Sequence, residues 1–102
     1  MMKARIKVAS TDIKKLNDLV NQIVDIANRM NVKYKGPIPL PVRRLKHTTR
    51  TAPDGEGREL YETYELRIYK RLIDMDMNDK ALRYIMRIPI PKEVHIEMQF
   101  VN

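Results

Sequence analysis

The chain has 102 residues, 43% hydrophobic and 32% charged, enough for one small domain with a single core. It contains no cysteine, which excludes disulfides, zinc–thiolate sites and thiol nucleophiles. Twenty basic against 13 acidic residues leave a net charge of +7. No window reaches the length of a membrane span and MMKARIKV lacks the apolar run of a signal peptide, so a soluble cytoplasmic protein is expected.

Lys3 to Ala9 alternates, with Ala4, Ile6 and Val8 on one face and Arg5, Lys7 and Ala9 on the other; this predicts a half-buried strand. Ser10, Thr11 and Asp12 supply N-cap chemistry. Ile13, Leu16, Val20, Ile23, Ala27 and Met30 then recur at spacings of three and four, predicting a helix from about Asp12 to Met30. Leu19, Val24 and Ile26 widen its apolar stripe, so the helix should lie across a sheet. Asn31 is suited to end it in the left-handed conformation.

A strand begins at Val32 to Tyr34, is broken by Gly36-Pro37, and resumes its period of two at Ile38, Leu40 and Val42. Pro37, Pro39 and Pro41 take the alternate positions, where their missing N–H groups face one way; such a strand belongs at a sheet edge or at the base of an arm. Pro53, Asp54-Gly55 and Gly57 are turn residues, and Leu60 to Lys70 alternates again as an antiparallel partner. Asp76 or Asn78 caps a second helix, Asp79 to Arg87, with Ala81, Leu82, Ile85 and Met86 inward, stopped by Pro89 and Pro91. Val94, Ile96, Met98 and Phe100 alternate with His95, Glu97 and Gln99 in a closing strand. The order β-α-β-β-α-β predicts an α+β domain: a four-stranded antiparallel sheet with both helices on one face and a long projecting hairpin arm.

The charge is not spread evenly. Between Ile26 and Pro53 stand seven basic residues (Arg29, Lys33, Lys35, Arg43, Arg44, Lys46, Arg50) and no carboxylate, so elsewhere 13 basic residues face 13 acidic ones. A neutral body with one basic segment points to a polyanionic partner. No basic amphipathic helix with large apolar anchors favours a membrane surface. The connection from about His47 to Glu59 is long for a hairpin, where loops take about 2–5 residues, and it lacks large apolar groups to hold it down. It reads as an arm over about residues 43–59, reaching roughly 15–20 Å from a body formed by 1–42 and 60–102 and disordered when alone.

Arg43, Arg44, Lys46 and Arg50 suit a phosphate backbone, since arginine grips phosphate through two N–H groups. Thr48 and Thr49 offer hydroxyls, His47 offers an imidazole for phosphate or base, and Lys35 begins the run. Arg67, Tyr69, Lys70 and Arg71 extend the surface on the partner strand, with Arg5 and Lys7 as secondary RNA contacts. ELRIYKRL is not the aromatic pattern of a sheet that stacks single-stranded RNA, so the arm is expected to bind.

Other constellations read as ordinary structure. Asp74-Met-Asp76-Met-Asn78 starts like a calcium loop but has Asp79 and Ile85 where Gly and Glu are needed, which leaves a helix-capping turn. His47 and His95 have no carboxylate or second histidine at ligand spacing, and His95 is expected as an exposed strand residue. Glu59, Glu62 and Glu65 cannot converge on a strand and are expected to pair with the facing basic strand. No catalytic constellation, metal site or cofactor site is found.

Several stretches together resemble the small-subunit ribosomal protein S-ten family: Gly36-Pro-Ile-Pro-Leu-Pro41, Arg67-Ile-Tyr-Lys-Arg-Leu-Ile-Asp74, Met86-Arg-Ile before a Pro-ended turn, and the opening KARIKVASTD. Asp54-Gly-Glu-Gly resembles the archaeal/eukaryotic branch. Val42 stands where the family usually has Thr, Tyr69 where it usually has His, and Pro89 where Arg is common in archaeal members. The resemblance implies a ferredoxin-like body in the head of the small subunit and a hairpin reaching into rRNA and toward the S-fourteen protein. It also implies a body contact with the S-three protein and, in bacteria, a role with a transcription-antitermination partner. It implies no enzyme activity, cofactor or small-molecule substrate. Two rivals are a small acyl-phosphate hydrolase, which needs an Arg-bearing loop where this chain has Ser10-Thr11-Asp12, and an adaptor that binds by strand addition.

Overall fold

The computed structural model describes the backbone of residues 2–51 and 60–102, and within that the side chains outside 46–65. Six elements follow in order: β1 (Lys3–Ser10), α1 (Ile13–Arg29), β2 (Tyr34–Thr51), β3 (Leu60–Asp76), α2 (Asp79–Met86) and β4 (Val94–Val101). The strands form one sheet in the order β2-β3-β1-β4, and every pairing is antiparallel. This is the ferredoxin-like α+β architecture expected from the sequence.

Residues directly opposite each other in a ladder share a face. Ala4, Ile6 and Val8 are fully buried and meet Met75, Ile73 and Arg71 on one side and Phe100, Met98 and Ile96 on the other. Both helices cover this face: Leu16, Leu19, Ile23 and Ala27 of α1, with Ala81, Leu82 and Ile85 of α2, join the strand residues in one core. Met86 departs from its expected inward place and is 67% exposed. At about 100° per residue it lies a quarter-turn from the centre of the stripe set by Ala81, Leu82 and Ile85.

The helix ends are built as their residues require. Asp12 accepts hydrogen bonds from the Lys14 and Lys15 N–H groups at 3.0 and 3.2 Å, and Asn78 accepts one from Ala81 N–H at 3.0 Å. Asn31 has φ 56°, and the N–H groups of Asn31 and Val32 reach back to the Asn28 and Ala27 carbonyls, a Schellman closure of α1. Buried Ser10 accepts from Asp12 N–H and donates to the Glu93 carbonyl, tying the end of β1 to the start of β4.

The edge strand β2 carries the three prolines and two bulges, between Lys35 and Ile38 and between Leu40 and Arg43. Each bulge adds one residue on β2, which reverses the faces beyond it. Tyr34 therefore shares the helix-covered face with Met75, whereas Ile38 and Leu40 share the open face with Leu72 and Lys70. Val42, inside the second bulge, is 42% exposed. The first bulge needs its glycine: Gly36 has φ 113°, and an added Cβ would lie 2.7 Å from the Leu72 carbonyl oxygen. Gly36→Ala is expected to cost about 1–3 kcal/mol, read as a lowered melting temperature without loss of the sheet signal in circular dichroism.

Candidate nucleic-acid interface

The sheet is four-stranded only in part. β1 pairs with β3 from Tyr69 to Asp76, while from Leu60 to Ile68 β3 pairs with β2 alone. Nine rows at about 3.3 Å each make a two-stranded ribbon roughly 30 Å long. The molecule measures 66 × 25 × 16 Å with a radius of gyration of 19.1 Å, against about 13 Å for a compact chain of this length. The ribbon thus runs away from the body and is not folded back on the sheet.

The ribbon is more regular than the sequence suggests. Residues 47–51, expected in an unpaired connection, pair in register as far as Thr51 opposite Leu60. Thr48, Thr49 and Thr51 on β2 and Tyr61, Thr63 and Tyr64 on β3 are β-favouring residues, and a two-stranded ladder satisfies their inward backbone groups without a core. Paired reach accordingly exceeds the expected 15–20 Å. Residues 52–59, including Asp54-Gly55-Glu56-Gly57, expected as a turn, and Glu59, lie outside the described residues.

The register divides the predicted contact residues between two faces. Arg44 stands directly opposite Arg67, and their face continues down β3 through Tyr69 and Arg71. Arg43 opposite Ile68, and Lys70 opposite Leu40, belong to the other face, which becomes the open face of the body with Arg5 and Lys7. Arg43, Arg44 and Arg67 are exposed at the ribbon base. Lys46, His47, Thr48, Thr49 and Arg50 follow outward with Glu65, Tyr64, Thr63, Glu62 and Tyr61 as their register partners on β3. Their side chains lie outside the described ones.

Not every predicted residue joins this cluster. Lys35 sits opposite Asp74, six residues along β3 from the ribbon base, about 20 Å away. Tyr69 is half-buried and packs its ring against the core, because it shares the face of Ile73 and Met75. Arg71 donates one guanidinium N–H to the neighbouring Lys70 carbonyl at 2.9 Å. Arg5 is held by Asp74 through two bonds, Nε to Oδ1 at 3.0 Å and Nη2 to Oδ2 at 3.3 Å. Those bonds, and the carboxylate charge behind them, raise the Arg5 pKa above its ordinary value. Lys7 and Lys70 line a shallow hollow on the open face with Leu40, His95 and Glu97. There His95 is exposed as expected but does have a carboxylate neighbour, Glu97, at 3.3 Å.

Residues 5–99 match the protein family described as ribosomal protein S10p/S20e. The chain belongs to that family. The match runs from Arg5 to Gln99, which are themselves ladder partners on β1 and β4, so it takes in both helices and most or all of every strand. As an S10p/S20e protein the chain is a small-subunit ribosomal protein of a structural, non-enzymatic family. Among the described helices none is long and apolar enough to cross a membrane.

Proposed function

We propose that this S10p/S20e protein sits in the head of the small ribosomal subunit and binds rRNA through the β2–β3 ribbon. The observation that carries this reading is the exposed Arg43, Arg44 and Arg67 at the base of a ribbon whose first strand lies in a stretch with seven basic residues and no carboxylate. Such a strand neutralises packed phosphates, with recognition resting on RNA shape and backbone more than on base edges. Residues 43–50, with Arg67, Lys70 and Arg71, form the contact surface; Lys7 and Arg5 border it on the body. The ribbon is directed toward an S-fourteen neighbour and the body toward an S-three neighbour, in a ribosome of archaeal/eukaryotic type. A partner in transcription antitermination is the second reading, and it favours β4: that edge has eight residues without proline, whereas β2 is interrupted by prolines and bulges.

Co-sedimentation with small subunits through sucrose at rising salt tests the reading. Co-migration at low salt and progressive release above it is expected. Retention by ribosomal proteins that survives thorough nuclease digestion would favour the adaptor instead.

A further inference from the structure

A second cationic surface lies on the helices, away from the ribbon. Lys80, Arg83 and Arg87 recur at spacings of three and four along one side of α2, with Tyr84 between them. Together they line one hollow, and Lys80 and Tyr84 also line a groove of about 340 Å³ against Ile26, Arg29 and Met30 of α1. All four cations are exposed, and Tyr84 is 47% exposed. Among the described residues none of the four has a carboxylate within ion-pair distance, although Asp25 and Asp79 lie four residues before Arg29 and Arg83.

The position of this ridge follows from the register. β1 ends at Ser10 opposite Tyr69, beside the ribbon base, and α1 returns from there to the far end, where β2 starts with Tyr34 opposite Met75. α2 starts at that same far end, just after Asp76. From Asp76 to Ile68 is eight residues, about 26 Å, and the ribbon adds about 30 Å more. The groove where Lys80 and Tyr84 of α2 meet Arg29 of α1 therefore lies at the end of the sheet farthest from the ribbon.

We infer that the α2 ridge is a second RNA-backbone site, so that the chain fastens two separate RNA segments, one on the ribbon and one on the helices. This rests on the ribbon reading above only for the word "second"; the ridge is argued on its own residues. A protein partner fits less well. Protein interfaces use arginine and tyrosine but deplete lysine, and four exposed cations without a paired carboxylate among the described residues call for a partner of high negative charge density, which a phosphate backbone supplies. Arginine forks and a phenol hydroxyl suit phosphate and ribose.

The test uses the full chain and a 16-base-pair RNA duplex, labelled with donor or acceptor dye. Wild type should bring donor and acceptor duplexes together. Arg83→Glu with Arg87→Glu should abolish that energy transfer, keep single-duplex binding, and shift the log–log salt slope by about 2 toward zero. Arg83→Lys with Arg87→Lys keeps the charge and should keep the transfer, and circular dichroism checks that each variant is folded. Unchanged bridging and slope in the Glu variant overturns the proposal and leaves the ridge to an acidic protein surface. The readings fail separately: if Arg43→Glu with Arg44→Glu removes all duplex binding, the ridge is refuted and the ribbon stands. If that variant binds like wild type and the ridge variant does not, the ribbon reading fails and the ridge stands.

Discussion

Replacing Arg43 and Arg44 together by glutamate should sharply weaken the chain's hold on small-subunit rRNA, leaving only the weaker binding of the α2 ridge, while its body stays folded. A hydrogen bond to a charged group contributes about 1.5–3 kcal/mol. Losing two therefore weakens binding by roughly 10²- to 10⁴-fold, at about 1.4 kcal/mol per tenfold, before the repulsion of two new carboxylates is counted. The body should not notice, because both residues are exposed in the second bulge and ribbon, and neither belongs to the core. Binding to rRNA and the thermal midpoint are to be measured on the same preparation. Weakened binding with an unchanged midpoint is expected; unfolding would mean that the ribbon is structural to the domain.

The largest effect on stability is expected at Ile6. It is fully buried at the centre of the sheet, opposite Ile73 and Met98, under the helix residues Leu16, Leu19 and Ile23. Ile6→Ala removes buried methyl groups and leaves a cavity that a two-layer core cannot collapse, at a cost of about 2–5 kcal/mol. Domains of this size are stable by only about 5–15 kcal/mol, so the variant should melt far below wild type. RNA binding should fall with it, because β3 belongs to both body and ribbon and its register is fixed by β1. Chemical denaturation with an unchanged slope and a lower midpoint checks this.

Much of the body is legible in the sequence because local signals agree there. The period-two faces of Ala4, Ile6 and Val8, the three-four stripe of α1 from Leu16 onward (Ile13, expected to begin it, is exposed at the first turn), Asp12 as its cap and Asn31 as its left-handed stop all recur in the structure. What stays hidden depends on tertiary register. The bulges in β2 put Ile38 and Leu40 on the open face, which an alternating pattern cannot reveal. Tyr69 looks like a surface aromatic in sequence, yet its alignment with Ser10 packs it against the core. Lys35 is close to Arg43 in the chain but about 20 Å from it along the sheet.

Charge arithmetic has a similar blind spot. Balancing 13 basic against 13 acidic residues outside the central window treats them as mixed. The fold separates them: Arg5 is consumed by Asp74 and Lys15 by Glu93 at 2.9 Å, while Lys80, Arg83 and Arg87 line up on α2. Their spacing in the sequence was the available signal, and it gained meaning once Arg29 arrived beside them from α1.

The salt dependence of binding to small-subunit rRNA tests the central claim most directly. A ribbon that neutralises four to six phosphates gives a log–log slope of roughly −3 to −5 for the wild-type chain, shallower by about 2 in the Arg43→Glu, Arg44→Glu variant. A flat response, or one identical in the two proteins, would contradict it.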